Sequence, residues 1–339
     1  MKKYIYLGMI VLAALSSCEN QDWEFPDYNY STVYFAYQSP VRTIVLGKDY
    51  TFDNTLDNEY KCQIMATIGG VYENKNEVII DVEIDNSLCN NLIFGTDSSN
   101  TVLAMPANYY SLPDNMQIII PSGELMGGIE VQLTDAFFDD TLSVRTKYVI
   151  PLVMNSVANA DSILQGDAVS DNADRRISGD WNIAPKDYVL YAVKYMNPWH
   201  ANYLRRGIDV VNGSSSIVYH EKYVEQDQVC STVTRSRYEV SLPLEALNED
   251  QTKTPFELIL AFNQNNNCTI RNPVSASYTI SGSGSYIKNG DMWGGESRDA
   301  LYLQYEVDFG TTTHAFTDTL VLRDRGVKFE TFSPTVIYE

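Results

Sequence analysis

The chain has 339 residues, with 24 Lys and Arg against 44 Asp and Glu, a formal charge of −20. A surface that acidic repels phosphate backbones and excludes nucleic acid as a partner. The length suffices for two domains. The five Cys and three His form no CxxC or Cys/His spacing, so neither a zinc site nor any other cofactor is expected.

Met1-Lys2-Lys3 is a short basic start, and Tyr4 to Ala14 is a mostly apolar run too short to span a bilayer as a permanent helix. Leu15-Ser16-Ser17-Cys18 follows: a branched apolar residue, two small ones and a Cys, the pattern of a bacterial lipoprotein signal. Residues 1–17 then read as a cleaved signal peptide and Cys18 as the lipidation site. The alternative is an ordinary secretory signal with a coincidental Cys. Each buried methylene contributes roughly 0.8 kcal/mol, so several acyl chains hold a protein to a membrane without a transmembrane helix. Residues 18–31 are acidic, aromatic and polar and read as a tether carrying Trp23. Acidic residues close behind a lipid Cys resemble the surface-export signal of lipoproteins in Gram-negative gut symbionts; the alternative is a solvated linker.

Residues 32–156 hold seven strand candidates, over 32–37, 43–46, 62–67, 78–84, 116–120, 129–133 and 148–153. They are short, β-branched and separated by Gly, Asn, Asp and Pro turns. In Ile129-Glu130-Val131-Gln132-Leu133 the apolar residues share one face, the period of a half-buried strand. This predicts an immunoglobulin-like sandwich. Pro151 demotes its strand to an edge or a bulge. Residues 157–180 are rich in turn formers and read as a linker. Residues 181–339 hold about eight further strands, beginning with Tyr188 to Tyr195, and predict a calycin-like antiparallel barrel or a second sandwich. The whole is all-β. Cys62, Cys89, Cys230 and Cys268 either form disulfides within each half or stay buried as free thiols.

Several stretches of the first half resemble a β-sandwich domain that opens many lipoproteins of Sus-like (starch-utilisation-type) glycan uptake systems. They include Val33-Tyr34-Phe35, Gly69-Gly70-Val71-Tyr72-Glu73-Asn74, Ala107-Asn108-Tyr109-Tyr110-Ser111-Leu112 and Leu133-Thr134-Asp135-Ala136-Phe137-Phe138. The second half resembles the domain that often accompanies it, through Asn197-Pro198-Trp199-His200, Tyr203-Leu204-Arg205-Arg206-Gly207, Trp293-Gly294-Gly295 and Thr319 to Gly326. The resemblance implies a surface lipoprotein of the outer membrane, working beside a Sus-like transporter and its lipoprotein partner.

The first domain also occurs fused to chitinase-like endoglycosidases, whose Asp-x-x-Asp-x-Asp-x-Glu run is absent. Asp81, Glu83 and Asp85 alternate but lie in the sandwich, and about 155 residues are too few for a barrel of about 250. The carboxylate pairs Asp139/Asp140 and Asp324/Glu330 are expected by chance among 44 acids, so no enzyme is expected. Sugar binding needs a flat aromatic face for the pyranose C–H side and planar polar groups for hydroxyls. Two loops hold both: Trp199, His200, Tyr203 and Arg205 in one, Asp291, Trp293 and Arg298 in the other. In each, the competing assignment is a Trp that caps the end of a barrel, and Trp181 is assigned to sealing the second domain. The expected role is non-covalent capture of an oligosaccharide. The alternatives are a docking subunit without a sugar site, and a barrel whose cavity, lined by the 188–195 and 300–307 strands, holds an apolar ligand.

Overall fold

The computed structural model describes residues 28–248 and 251–337. The signal segment, Cys18 and most of the tether lie outside the described residues. The protein is all-β, with two large sheets and helix confined to short turns such as Thr55–Asn58 and Asp135–Asp139. No helix among the described residues is long and apolar enough to cross a membrane.

The first sheet is built from β1 (Thr32–Tyr34), β2 (Pro40–Val45), β3 (Lys61–Gly69), β4 (Val78–Ile84), β5 (Gln117–Ile120), β6 (Met126–Leu133), β7 (Tyr148–Ala158) and β8 (Tyr188–Met196). Their order is β1-β3-β6-β5-β4-β7-β8-β2. Alternation sets each strand's face: in β3, Cys62, Ile64, Ala66 and Ile68 are buried while the residues between them face outward. Each such aliphatic side chain contributes about 1.5–3 kcal/mol on burial. Gly127 is required where β5 crosses β6, because a Cβ there would sit 1.9 Å from the Ile119 carbonyl oxygen. The sheet curls on itself around one core, so that Tyr191 Oη on β8 reaches the Gln63 carbonyl on β3 at 3.0 Å, strands far apart in the ladder.

Two expectations change here. Pro151 does not mark an edge, since β7 is central and paired with both β4 and β8, but the strand does carry a bulge, where its register against β4 shifts between Met154 and Ser156. Its missing N–H falls just beyond the last β4 pair, Leu152 with Ile84, where the Pro151 carbonyl still accepts from the Asp85 amide at 3.1 Å. The strand expected to open the second set, β8, belongs to the first sheet. It runs antiparallel to β7 and parallel to β2, from Ala192 opposite Val41 to Met196 opposite Val45.

The second sheet is a long meander. It comprises β9 (Asn202–Val211), β10 (Ser215–Tyr219), β11 (Gln228–Ser231), β12 (Val233–Ser236), β13 (Glu239–Leu247), β14 (Lys253–Phe262), β15 (Asn267–Arg271), β16 (Thr279–Trp293), β17 (Glu296–Asp308) and β18 (Thr313–Asp324). The order is β10-β9-β18-β17-β16-β15-β14-β13-β12, with β11 beside β10 on β9. Among the described residues no strand pair closes this ladder into a barrel. Its ends, β11 and β12, are joined through the chain at Thr232, whose hydroxyl bonds the Trp199 carbonyl at 2.6 Å and the Ala201 amide at 2.9 Å. The inner face is filled with side chains such as Leu242, Leu258, Leu303 and Leu320. The 188–195 and 300–307 strands lie in different sheets, so the ligand cavity expected between them does not form.

After β18 the chain returns to the first sheet, where β19 (Glu330–Thr331) pairs with β2 and β20 (Pro334–Val336) pairs with Leu92–Phe94. Arg325 fastens this crossing. Its guanidinium, 2% exposed, donates to the carbonyls of His200, Leu46 and Asn197 at 2.7, 2.9 and 2.8 Å. Cys62, Cys89, Cys230 and Cys268 are buried free thiols, each pushed up to about 12 by burial.

Candidate functional site

The two aromatic loops separate in the structure. The Trp199 loop is core, which corrects its expected exposure. Trp199 is 4% exposed and stacks on Phe262 with centroids 4.0 Å apart. Tyr203 is fully buried and donates to the Trp199 carbonyl at 2.9 Å. Arg205 is sealed inside, ion-paired with Asp318 at 3.0 Å and lying 4.4 Å over the Tyr219 ring. His200 Nδ1 accepts from the Thr234 amide at 3.1 Å, and burial, with Arg325 nearby, lowers its pKa to about 4. Trp199, Tyr203 and Arg205 have no free face for a ligand, while His200, half-buried, lines a small pocket of about 170 Å³ away from the indole. His314, fully buried, hydrogen-bonds Asp209 at 2.8 Å, and burial pushes the Asp209 carboxyl up.

The Asp291–Arg298 segment is different. Gly294 and Gly295 both have positive φ, +61° and +81°, so Trp293-Gly294-Gly295-Glu296 closes a two-residue hairpin of the kind that suits strand twist. Pairing of Asp291 with Arg298 and of Trp293 with Glu296 places all four on one face. The Arg298 guanidinium lies 5.0 Å from the Trp293 ring centroid and 4.3 Å from that of Tyr50, with Glu296 at 3.9 Å. Tyr50 comes from the first half of the chain and donates to Asp299 at 3.0 Å; burial and then Asp299 push its phenol up to about 12. The Trp293 indole N–H and Arg298 Nε have no acceptor among the described residues.

The same face of β17 runs from Arg298 past Ala300, which is fully covered, to the half-buried Tyr302 and the exposed Gln304. From Arg298 to Gln304 the strand spans roughly 20 Å. Tyr302 Oη donates to the Gly290 carbonyl at 2.7 Å, tying this strip to the bulge below the hairpin. Beyond it lies a groove of about 350 Å³ lined by the polar side chains of Ser283, Ser285, Tyr302, Gln304, Thr317 and Thr319. The groove exists because β16 reads Ser281-Gly282-Ser283-Gly284-Ser285. The glycines face inward under bulky neighbours: a Cβ on Gly284 would meet Leu303 at 2.6 Å. The serines leave the outer face shallow and polar.

Gly282-Ser283-Gly284 reads from sequence as a turn, and the structure corrects it to mid-strand. An alternation of Ser and Gly over five residues was the signal for one tight and one polar face. The suspected carboxylate pairs are committed elsewhere. Asp139 pairs with Arg237 at 2.8 Å, Glu330 with Lys194 at 2.7 Å, and Asp324 accepts from Asn202 at 2.6 Å. Asp140 accepts from Tyr109 at 3.1 Å and Tyr148 at 2.5 Å.

A family model described as a domain of unknown function (DUF5627) matches residues 198–326, and a model of an N-terminal domain matches residues 28–161. No curated protein is significantly similar to the chain. A crystal structure of a protein of unknown function from Bacteroides ovatus shares 43% identity, covering 91% of this chain and 100% of that one, with a TM-score of 0.83. An auxiliary nutrient binding protein from Bacteroides thetaiotaomicron shares 14% identity over 83% of this chain and 90% of that one, with a TM-score of 0.36, too low a likeness to argue from. On the 43% identity over nearly its whole length, the chain belongs to the same family as the Bacteroides ovatus protein.

Proposed function

We propose that the protein is a glycan-binding surface lipoprotein of a Sus-like system, anchored in the outer membrane through Cys18, and that it binds oligosaccharide along the outer face of the second sheet. Trp293 and Arg298 form the aromatic and cationic end of the site, Asp291 and Tyr302 flank it, and the Ser/Thr/Gln groove extends it. The observation that carries the reading is the placement of an aromatic hairpin and a polar groove on one strand face, roughly 20 Å long. That length suits an oligosaccharide better than a single sugar. Binding is non-covalent, wet and weak, because such a face offers one aromatic anchor and many solvated hydroxyl partners. The captured glycan passes to the neighbouring transporter and its lipoprotein partner.

Affinity electrophoresis of the soluble chain from Asn20 onward, across plant, host and microbial polysaccharides, tests this. The parent is retarded by at least one polysaccharide, and folded Trp293→Ala migrates freely in the same gel. Retardation of both proteins alike moves the site elsewhere. Free migration of the parent in every gel supports the docking subunit instead.

A further inference from the structure

We propose that a second, separate site lies in the first sheet and takes a small amphipathic anion, an apolar chain or ring with a carboxylate or sulfonate head. β1 covers β3 only at Thr67–Gly69, so the β3 edge from Lys61 to Ala66 carries no strand. Because the sheet curls, β2 and β8 face that edge across a slot of about 450 Å³, within the range of small-ligand pockets. Val41, Ile64, Val189 and Tyr191 form its walls. The returning tail roofs it: Phe329 packs on Tyr37 with centroids 5.0 Å apart, although the two rings are 69% and 56% exposed. Large aromatics left that open over an apolar hollow are a surface that a ligand completes.

The charge around the slot is opposite to that of the protein. Arg42 and Lys328 line it and no carboxylate does, in a chain of net charge −20. Arg42 is committed to Asp57 and to the Thr43 carbonyl. Lys328 is in no ion pair among the described residues and stands at the roof, where it meets an anionic head whose apolar body lies between β3 and β8. An added strand is a poorer occupant, because the Tyr191 side chain that donates to the Gln63 carbonyl lies across the edge where that strand would pair.

The test is titration of the chain from Asn20 onward with anilinonaphthalene sulfonate, followed by displacement with decanoate and with decanol. The expected result is saturable binding of one equivalent, displaced by decanoate well before decanol. Lys328→Glu weakens it roughly tenfold or more, and Phe329→Ala about tenfold. Both residues are exposed, so the variants fold, as an unchanged melting temperature verifies. Absence of saturable binding overturns the site. Equal binding by both variants overturns its location, and equal displacement by decanol overturns the anionic head. Polysaccharide retardation is unchanged in these variants, because the glycan strip lies on the other sheet, so the two sites fail or stand separately.

Discussion

Replacing Arg325 by Met gives the sharpest stability prediction. The methionine keeps an apolar stem but removes every donor. Three carbonyls at 2.7–2.9 Å, on His200, Asn197 and Leu46, lose a charged partner, and a fourth, on Lys48, loses a contact at 3.4 Å. A hydrogen bond to a charged group contributes about 1.5–3 kcal/mol, and an orphaned buried acceptor costs about 1–3 kcal/mol. Removing the buried cation itself returns part of this, since burial disfavours its charge and lowers its pKa. The net expectation is a loss of about 3–5 kcal/mol. Arg325→Lys keeps one charge but cannot reach all the carbonyls, and loses about 2 kcal/mol. Urea unfolding at constant m-value measures both. A change below about 1 kcal/mol for Arg325→Met would refute the reasoning that these carbonyls depend on the guanidinium.

Breaking the sealed Arg205–Asp318 pair by Asp318→Asn destabilises by about 3–5 kcal/mol, whereas a double replacement by apolar residues costs less; a double-mutant unfolding cycle reads the difference. His200 has a folded pKa of about 4 against the ordinary 6.5, so the unfolded chain binds the proton more tightly. Its contribution is therefore present above pH 6.5 and is lost as pH falls towards 4, by up to about 3 kcal/mol. His200→Gln removes this slope, which unfolding at several pH values detects. The four buried thiols resist Ellman's reagent in the folded chain and all react in guanidinium chloride, because burial holds their pKa near 12.

What the sequence made legible follows from period. β3, β6 and β7 alternate or run apolar, and the all-β class rests on such strands. What it did not show depends on partners distant in the chain. Nothing local in Tyr188–Met196 tells that it pairs in parallel with Pro40–Val45, some 150 positions earlier. Trp199 sits among Asn, Pro and His, which reads as a loop, yet Phe262 on a distant strand supplies the stack that buries it. The loop at Trp293 was legible because Gly-Gly marks a turn, which the structure makes a two-residue hairpin. The groove beyond it was hidden, since Gly and Ser are turn formers by composition and become a strand only when Gln304 and Thr269 pair beside Ser283. Tyr50, which flanks Arg298 from the far half of the chain, carried no sequence signal.

The most direct test of the central claim is amide hydrogen exchange with and without a retarding polysaccharide. A glycan on the outer face of the second sheet adds protection along 281–304 and 313–319, centred on the Trp293 hairpin and the Ser283–Thr317 groove, and none around the buried Trp199 loop. Protection confined to the first sheet, or to residues 197–206, would contradict it.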